Sequence, residues 1–126
     1  MFRILIVDDE APIREVLSTF LNDIGYETYA VADGESAIEW LGQEQPDLIL
    51  LDVRMPGMSG LEVLRNARQI YPNMPVIMIS GYTDEELARQ ALQEGAYDFF
   101  LKPFELSVIE ARLFAKLGFD AEAAQG

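Results

Sequence analysis

Four short apolar runs in this chain each stop at a residue able to do chemistry, and that pattern constrains the fold most. Ile4–Val7 stops at Asp8 and Asp9, Leu48–Leu51 at Asp52, Val76–Ile79 at Ser80, and Phe99–Leu101, the end of a strand expected to begin at Ala96, at Lys102. Short aliphatic runs bounded by turn residues read as strands buried on both faces of a sheet. A further segment, Glu27–Val31, is shorter on apolar residues and reads as a strand near an edge.

Helical spacing fills the intervals. Pro12 suits the first turn of a helix, where its missing N–H costs nothing. Ile13, Val16, Leu17, Phe20, Leu21 and Ile24 then recur at the helical period until Gly25. Asp33-Gly34-Glu35-Ser36 opens a second helix with Ala37, Ile38 and Leu41 inward and Trp40 partly exposed. Ser59 with Glu62 makes a capping box for a third, running to about Ile70. Thr83 with Glu86 caps a fourth, Asp84 to Gln93, with Leu87, Ala88, Ala91 and Leu92 inward. The last runs from about Glu105 to Leu117 and buries Leu106, Ile109 and Leu113. Five strands alternating with five helices predict a flavodoxin-like doubly wound α/β fold, a parallel sheet in the order 2-1-3-4-5. The expected domain spans residues 1–118, and residues 119–126 read as a short tail or the start of a linker.

Composition removes whole classes of function. The chain has no cysteine and no histidine. Disulfides, thiolate zinc sites, a Ser-His-Asp triad and a histidine base are therefore excluded. A metal must be held by oxygen, which favours a hard ion such as Mg²⁺, Mn²⁺ or Ca²⁺. The net charge of −13 repels nucleic acid and anionic membranes, so basic protein surfaces or cations are the expected partners. No stretch reaches the ~20 apolar residues of a membrane span, and the N-terminus is too soon broken by Asp8 for a signal peptide. The expectation is a soluble, cytoplasmic protein.

In a parallel sheet, the carboxyl ends of the strands share one edge, where ligands bind. Asp8, Asp9, Asp52, Ser80 and Lys102 are thereby gathered into one cleft. Three carboxylates brought close repel, and without a counter-charge at least one has a raised pKa. A divalent cation removes that cost and leaves Asp52 free to act as a nucleophile toward a phosphoryl group. Lys102 offers positive charge to phosphoryl oxygens, and Ser80 a hydrogen bond.

These motifs resemble the receiver domains of two-component response regulators. The residues that carry the likeness are Ile6-Val7-Asp8-Asp9-Glu10, Leu51-Asp52-Val53-Arg54-Met55-Pro56-Gly57-Met58-Ser59-Gly60, Ile79-Ser80-Gly81 and Phe100-Leu101-Lys102-Pro103-Phe104. The resemblance implies that Asp52 accepts a phosphoryl group from a partner phosphohistidine, on a histidine kinase or phosphotransfer protein. It implies Mg²⁺ or Mn²⁺ held by Asp9, Asp52 and the main-chain carbonyl of Arg54, with Asp8 helping mainly through water. Lys102 would contact the phosphoryl group, Ser80 and Phe99 would form the switch pair, and Pro103 would follow a cis bond. Arg54 and Tyr82, two positions after Asp52 and Ser80, fall where family members tune phosphoryl lifetime. The altered surface would lie on the fourth helix, fifth strand and fifth helix. It would meet an output domain or a second receiver, the latter as a phosphorylation-driven homodimer. The domain would assist its own phosphotransfer and slow self-dephosphorylation without turning over small substrates.

Three other readings fit the sequence less well. A metal-dependent aspartyl phosphohydrolase usually needs an acid two residues after its nucleophile, where this chain has Arg54, and no cap domain fits in 126 residues. A flavodoxin-like flavin binder should show a Ser/Thr/Gly-rich phosphate loop where Asp8-Asp9-Glu10 stands. A receiver-shaped interaction module that is never phosphorylated would not require the full set of Asp8, Asp9, Asp52, Ser80 and Lys102.

Overall fold

The computed structural model describes residues 1–81 and 84–118. Five strands alternate with five helices: β1 (Arg3–Val7), α1 (Ala11–Asp23), β2 (Glu27–Val31), α2 (Gly34–Leu41), β3 (Leu48–Asp52), α3 (Gly60–Ile70), β4 (Val76–Ser80), α4 (Glu85–Gln93), β5 (Asp98–Leu101) and α5 (Leu106–Leu113). All neighbouring strands are parallel, and their order is β2-β1-β3-β4-β5, as the alternation predicts. The sheet reverses direction of growth between β1 and β3, and the ends of those two strands open a crevice there.

Each strand sends alternate residues to opposite faces. Leu5, Val7, Ile49, Leu51, Val76 and Met78 pack against Ala37 and Leu41 of α2, Val63, Leu64 and Ala67 of α3, and Ala88 and Ala91 of α4. Ile4, Ile6, Leu48, Leu50, Ile77 and Ile79 pack against Leu17 and Leu21 of α1 and Ile109 and Leu113 of α5. Every residue of β3 and β4 is buried, whereas β2 exposes Glu27, Tyr29 and Ala30 at the sheet edge.

The helix ends follow their sequence signals. Asp33 accepts from the Ser36 N–H at 2.7 Å and caps α2. Ser59 accepts from the Glu62 N–H at 3.3 Å and caps α3. Gly25, Gly57 and Gly95 have φ of 106°, 76° and 106°, a region open to glycine at no steric cost. Gly60 answers a different demand. A β-carbon there would lie 2.2 Å from the Asp52 carbonyl oxygen, so α3 starts directly against the end of β3.

Several expectations need correction. Val16 and Ile24 are exposed, because α1 buries only a narrow stripe, Leu17 and Leu21. Leu92 is likewise exposed on α4. β5 begins at Asp98 rather than Ala96. The last helix changes pitch at Phe114: residues Phe114–Gly118 are π-helical, which keeps Leu117 buried while Phe114 faces solvent. Thr83, expected to cap α4, and the tail 119–126 lie outside the described residues.

Candidate functional site

The carboxyl ends of β1, β3, β4 and β5 converge on an open cleft of ≈ 530 Å³ lined by Asp9, Glu10, Asp52, Arg54, Gly81, Asp84 and Lys102, among others. Position in a strand decides how much water each acid sees. Asp52 is the last residue of the fully buried β3 and is itself buried. Asp8 directly follows β1 and is 0% exposed, while the next residue, Asp9, faces solvent. One carboxylate oxygen from each of the three lies within 4.8 Å of the others.

Such crowding has the electrostatic consequence expected of it. Burial, then the negative charge of Asp8, pushes Asp52 up from 3.8 to about 7, against the opposing pull of Lys102 and the Arg54 N–H. Burial also raises Asp8, although the Glu10 N–H donates to its Oδ1 at 2.8 Å. Lys102 is the counter-charge. Its Nζ lies 3.1 Å from Asp8 Oδ2, 3.0 Å from Glu10 Oε2 and 3.5 Å from Asp52 Oδ2. Burial disfavours that ammonium, but Glu10, Asp52 and Asp8 more than offset it and hold its pKa above the ordinary lysine value. The Lys102–Pro103 peptide is cis.

The donors fit a hard divalent ion. Among the described residues, Asp8 Oδ2 is buried without a hydrogen bond; the Lys102 ammonium is close but misaligned. An orphaned buried carboxylate oxygen beside two further carboxylates is an oxygen-only cradle of the kind Mg²⁺ occupies.

The remaining residues flank this centre. Ser80 is buried at the end of β4, and its hydroxyl donates to the Gly81 carbonyl at 3.0 Å. Phe99 of β5 is half-buried and packs against the face that holds α2, α3 and α4. The Arg54 N–H donates to Asp52 Oδ1 at 3.3 Å, and its guanidinium Nε donates to Asp84 Oδ1 at 2.7 Å. Tyr82 lies outside the described residues. Sequence reasoning gave no role to Glu10 or Asp84. Glu10 belonged to the quoted acidic motif and Asp84 to a helix start, but neither position announces its ion-pair partner.

The response regulator receiver domain model matches residues 4–114. The chain is 41% identical to regulatory protein AtoC of Escherichia coli (strain K12) over 104 residues, which are 82% of this chain and 23% of that protein. It is 38% identical to sporulation initiation phosphotransferase F of Bacillus subtilis (strain 168) over 107 residues, 85% of this chain and 86% of that one. Among solved structures, the receiver domain of NtrX from Brucella abortus superposes with a TM-score of 0.82 at 37% identity, covering 90% of this chain and 98% of that one. A receiver domain protein from Methanospirillum hungatei reaches 0.89 at 31% identity, with coverage of 100% and 99%. Receiver domains bind Mg²⁺ at an acidic pocket and work with histidine kinases or phosphotransfer proteins. They are generally not turnover enzymes. Strand order, acidic crevice and family match agree, and the chain belongs to the response regulator receiver domains, the phosphoacceptor signalling modules of two-component systems.

Proposed function

We propose that this chain is a phosphorylation-dependent switch whose acceptor is Asp52. The observation that carries the reading is the gathering of Asp8, Asp9 and Lys102 around Asp52 at the end of the buried β3. An Asp52 carboxylate oxygen attacks the phosphorus of a partner's phosphohistidine. The O–P bond forms as the P–N bond breaks, and the electron pair leaves on the imidazole nitrogen. Asp9, Asp52 and the Arg54 main-chain carbonyl would hold Mg²⁺ or Mn²⁺, with Asp8 acting mainly through water. When bound, the ion neutralises charge on the carboxylates and on the incoming phosphoryl oxygens. Lys102 then exchanges carboxylate neighbours for a phosphoryl oxygen, which its reach to Asp52 Oδ2 at 3.5 Å supports.

Ser80 gives up the Gly81 carbonyl to donate to the phosphoryl group, and Phe99 turns into the space it vacates. The surface of α4, β5 and α5 changes as a result and meets an output domain or a second receiver, the latter as a homodimer. Residues 1–118 act as the receiver, and 119–126 as a tail or the start of a linker. The phosphoryl group is lost by slow self-dephosphorylation, with Arg54 and Tyr82 narrowing the path of water. The acidic surface keeps the domain off nucleic acid, and its setting is the cytoplasm.

The test is incubation with Mg²⁺ and acetyl phosphate, read by intact mass, beside Asp52→Asn. The wild type gains one phosphoryl group and the variant gains none. No gain in the wild type, or an equal gain in the variant, defeats the reading. Phosphoryl decay in Arg54→Ala/Tyr82→Ala against wild type tests the lifetime role; equal decay removes it.

A further inference from the structure

The Arg54–Asp84 ion pair closes a circuit around the cleft. Asp52 Oδ1 accepts from the Arg54 N–H at 3.3 Å, and the Arg54 guanidinium holds Asp84 Oδ1 at 2.7 Å. The Asp84 N–H donates to the Gly81 carbonyl at 3.0 Å, and the same carbonyl accepts from the Ser80 hydroxyl at 3.0 Å. Acceptor and switch hydroxyl are thus joined through the residue that starts α4.

Asp84 occupies the N-cap position of α4, yet its side chain caps nothing. Its backbone sits at φ −111° and ψ 15°, whereas the working caps Asp33 and Ser59 have the extended ψ of 167° and 163° that capping uses. The Asp84 carboxylate is committed to Arg54 instead. Its side chain is only 12% exposed, against 67% for Arg54. Glu85, the next acid, is already paired with Arg89 at 3.0 Å.

We propose that Asp84 is a positioning residue for Arg54, and that phosphorylation of Asp52 makes the two part. This rests on the reading that Asp52 accepts the phosphoryl group. A phosphoryl group brings three acceptor oxygens and nearly two negative charges, which a guanidinium fork prefers to one carboxylate oxygen. Arg54 is already anchored beside Asp52 by its own N–H, so only its side chain has to swing. Asp84, released, turns to the Glu86 and Leu87 N–H groups at the start of α4, where negative charge is favoured. A part-exposed ion pair and an N-cap are of comparable strength, so a modest bias moves the residue between them. The entry of α4 is the element that changes state.

Amide exchange at Glu86 and Leu87, followed by NMR, reads the change, with β3 and β4 amides as internal controls for folding. In unphosphorylated protein, Arg54→Ala and Asp84→Asn free a capping side chain and slow exchange at both amides about fivefold. Asp84→Ala, which removes latch and cap together, does not slow it. Wild type under Mg²⁺ and acetyl phosphate slows like Asp84→Asn. Equal behaviour of Asp84→Asn and Asp84→Ala, or a full mass gain at Asp52 with unchanged exchange, overturns the proposal alone. No mass gain overturns the acceptor reading beneath it.

Discussion

Replacing Asp52 by asparagine should stabilise the metal-free protein, and most at neutral and alkaline pH. In the native state Asp52 is pushed up from 3.8 to about 7, chiefly by burial and then by Asp8. Native protein therefore holds a proton that unfolded protein releases, and stability falls as pH rises from about 4 to about 7. At about 1.36 kcal/mol per pKa unit, the upper bound on that loss is about 4 kcal/mol. Water at the open cleft and local relaxation screen part of it, leaving a gain of about 2 kcal/mol for Asp52→Asn. For a chain of this length that is about 8 °C in Tm. Asparagine resembles the protonated acid, so the gain should be near zero below about pH 4, reach roughly a third of its full size by pH 5, grow through pH 7 and level off by pH 8. Thermal and urea melts of both proteins in chelator, at pH 5 and pH 8, measure it. Saturating Mg²⁺ should shrink the difference, because ligand binding stabilises the wild type. Equal midpoints at pH 8, or a larger gain at pH 5, would refute the reasoning.

Mg²⁺ should bind about tenfold more weakly at pH 6 than at pH 8, since Asp52 must shed its proton; calorimetry in two buffers also reads the proton release. Lys102→Gln leaves Asp8 and Asp52 without their counter-charge, so metal-free stability at pH 8 should drop by about 1–3 kcal/mol in urea melts. Combining it with Asp52→Asn should cost less than Lys102→Gln alone. Gly60→Ala drives a β-carbon into the Asp52 carbonyl, with a loss of about 3 kcal/mol and slower labelling by acetyl phosphate. Wild-type stability in that variant would show that the loop and α3 separate without strain.

The strands were the most legible part of this chain, because Ile4–Val7, Leu48–Leu51 and Val76–Ile79 are buried on both faces and carry no competing pattern. Strand order followed from alternation and crossover handedness, and the strand ends then named the acidic cluster. The width of a helix's buried stripe was not legible. Val16 and Leu17 share the apolar spacing of α1, but only Leu17 meets the sheet. Nor were the ion pairs. Glu10 and Lys102 stand 92 positions apart and Arg54 and Asp84 stand 30, and no local periodicity links them. Asp84 read as an ordinary start to a helix, because sequence spacing shows where a carboxylate is available and not which donor takes it. The π-helical turn at Phe114–Gly118 has no marker in composition either.

Among the described residues, the contact at Gly60 makes the two sides of the cleft unequally tight. On one side α3 abuts the Asp52 carbonyl with no room for a methyl group, and the Gly60 N–H is tied to the Val53 carbonyl at 2.8 Å. On the other side, a β-carbon at Gly81 would meet only Asp84 Oδ2 at 3.8 Å among the described residues. Should Asp52 take up a phosphoryl group, as proposed above, the main chain has room to give beside Gly81 and none beside Gly60.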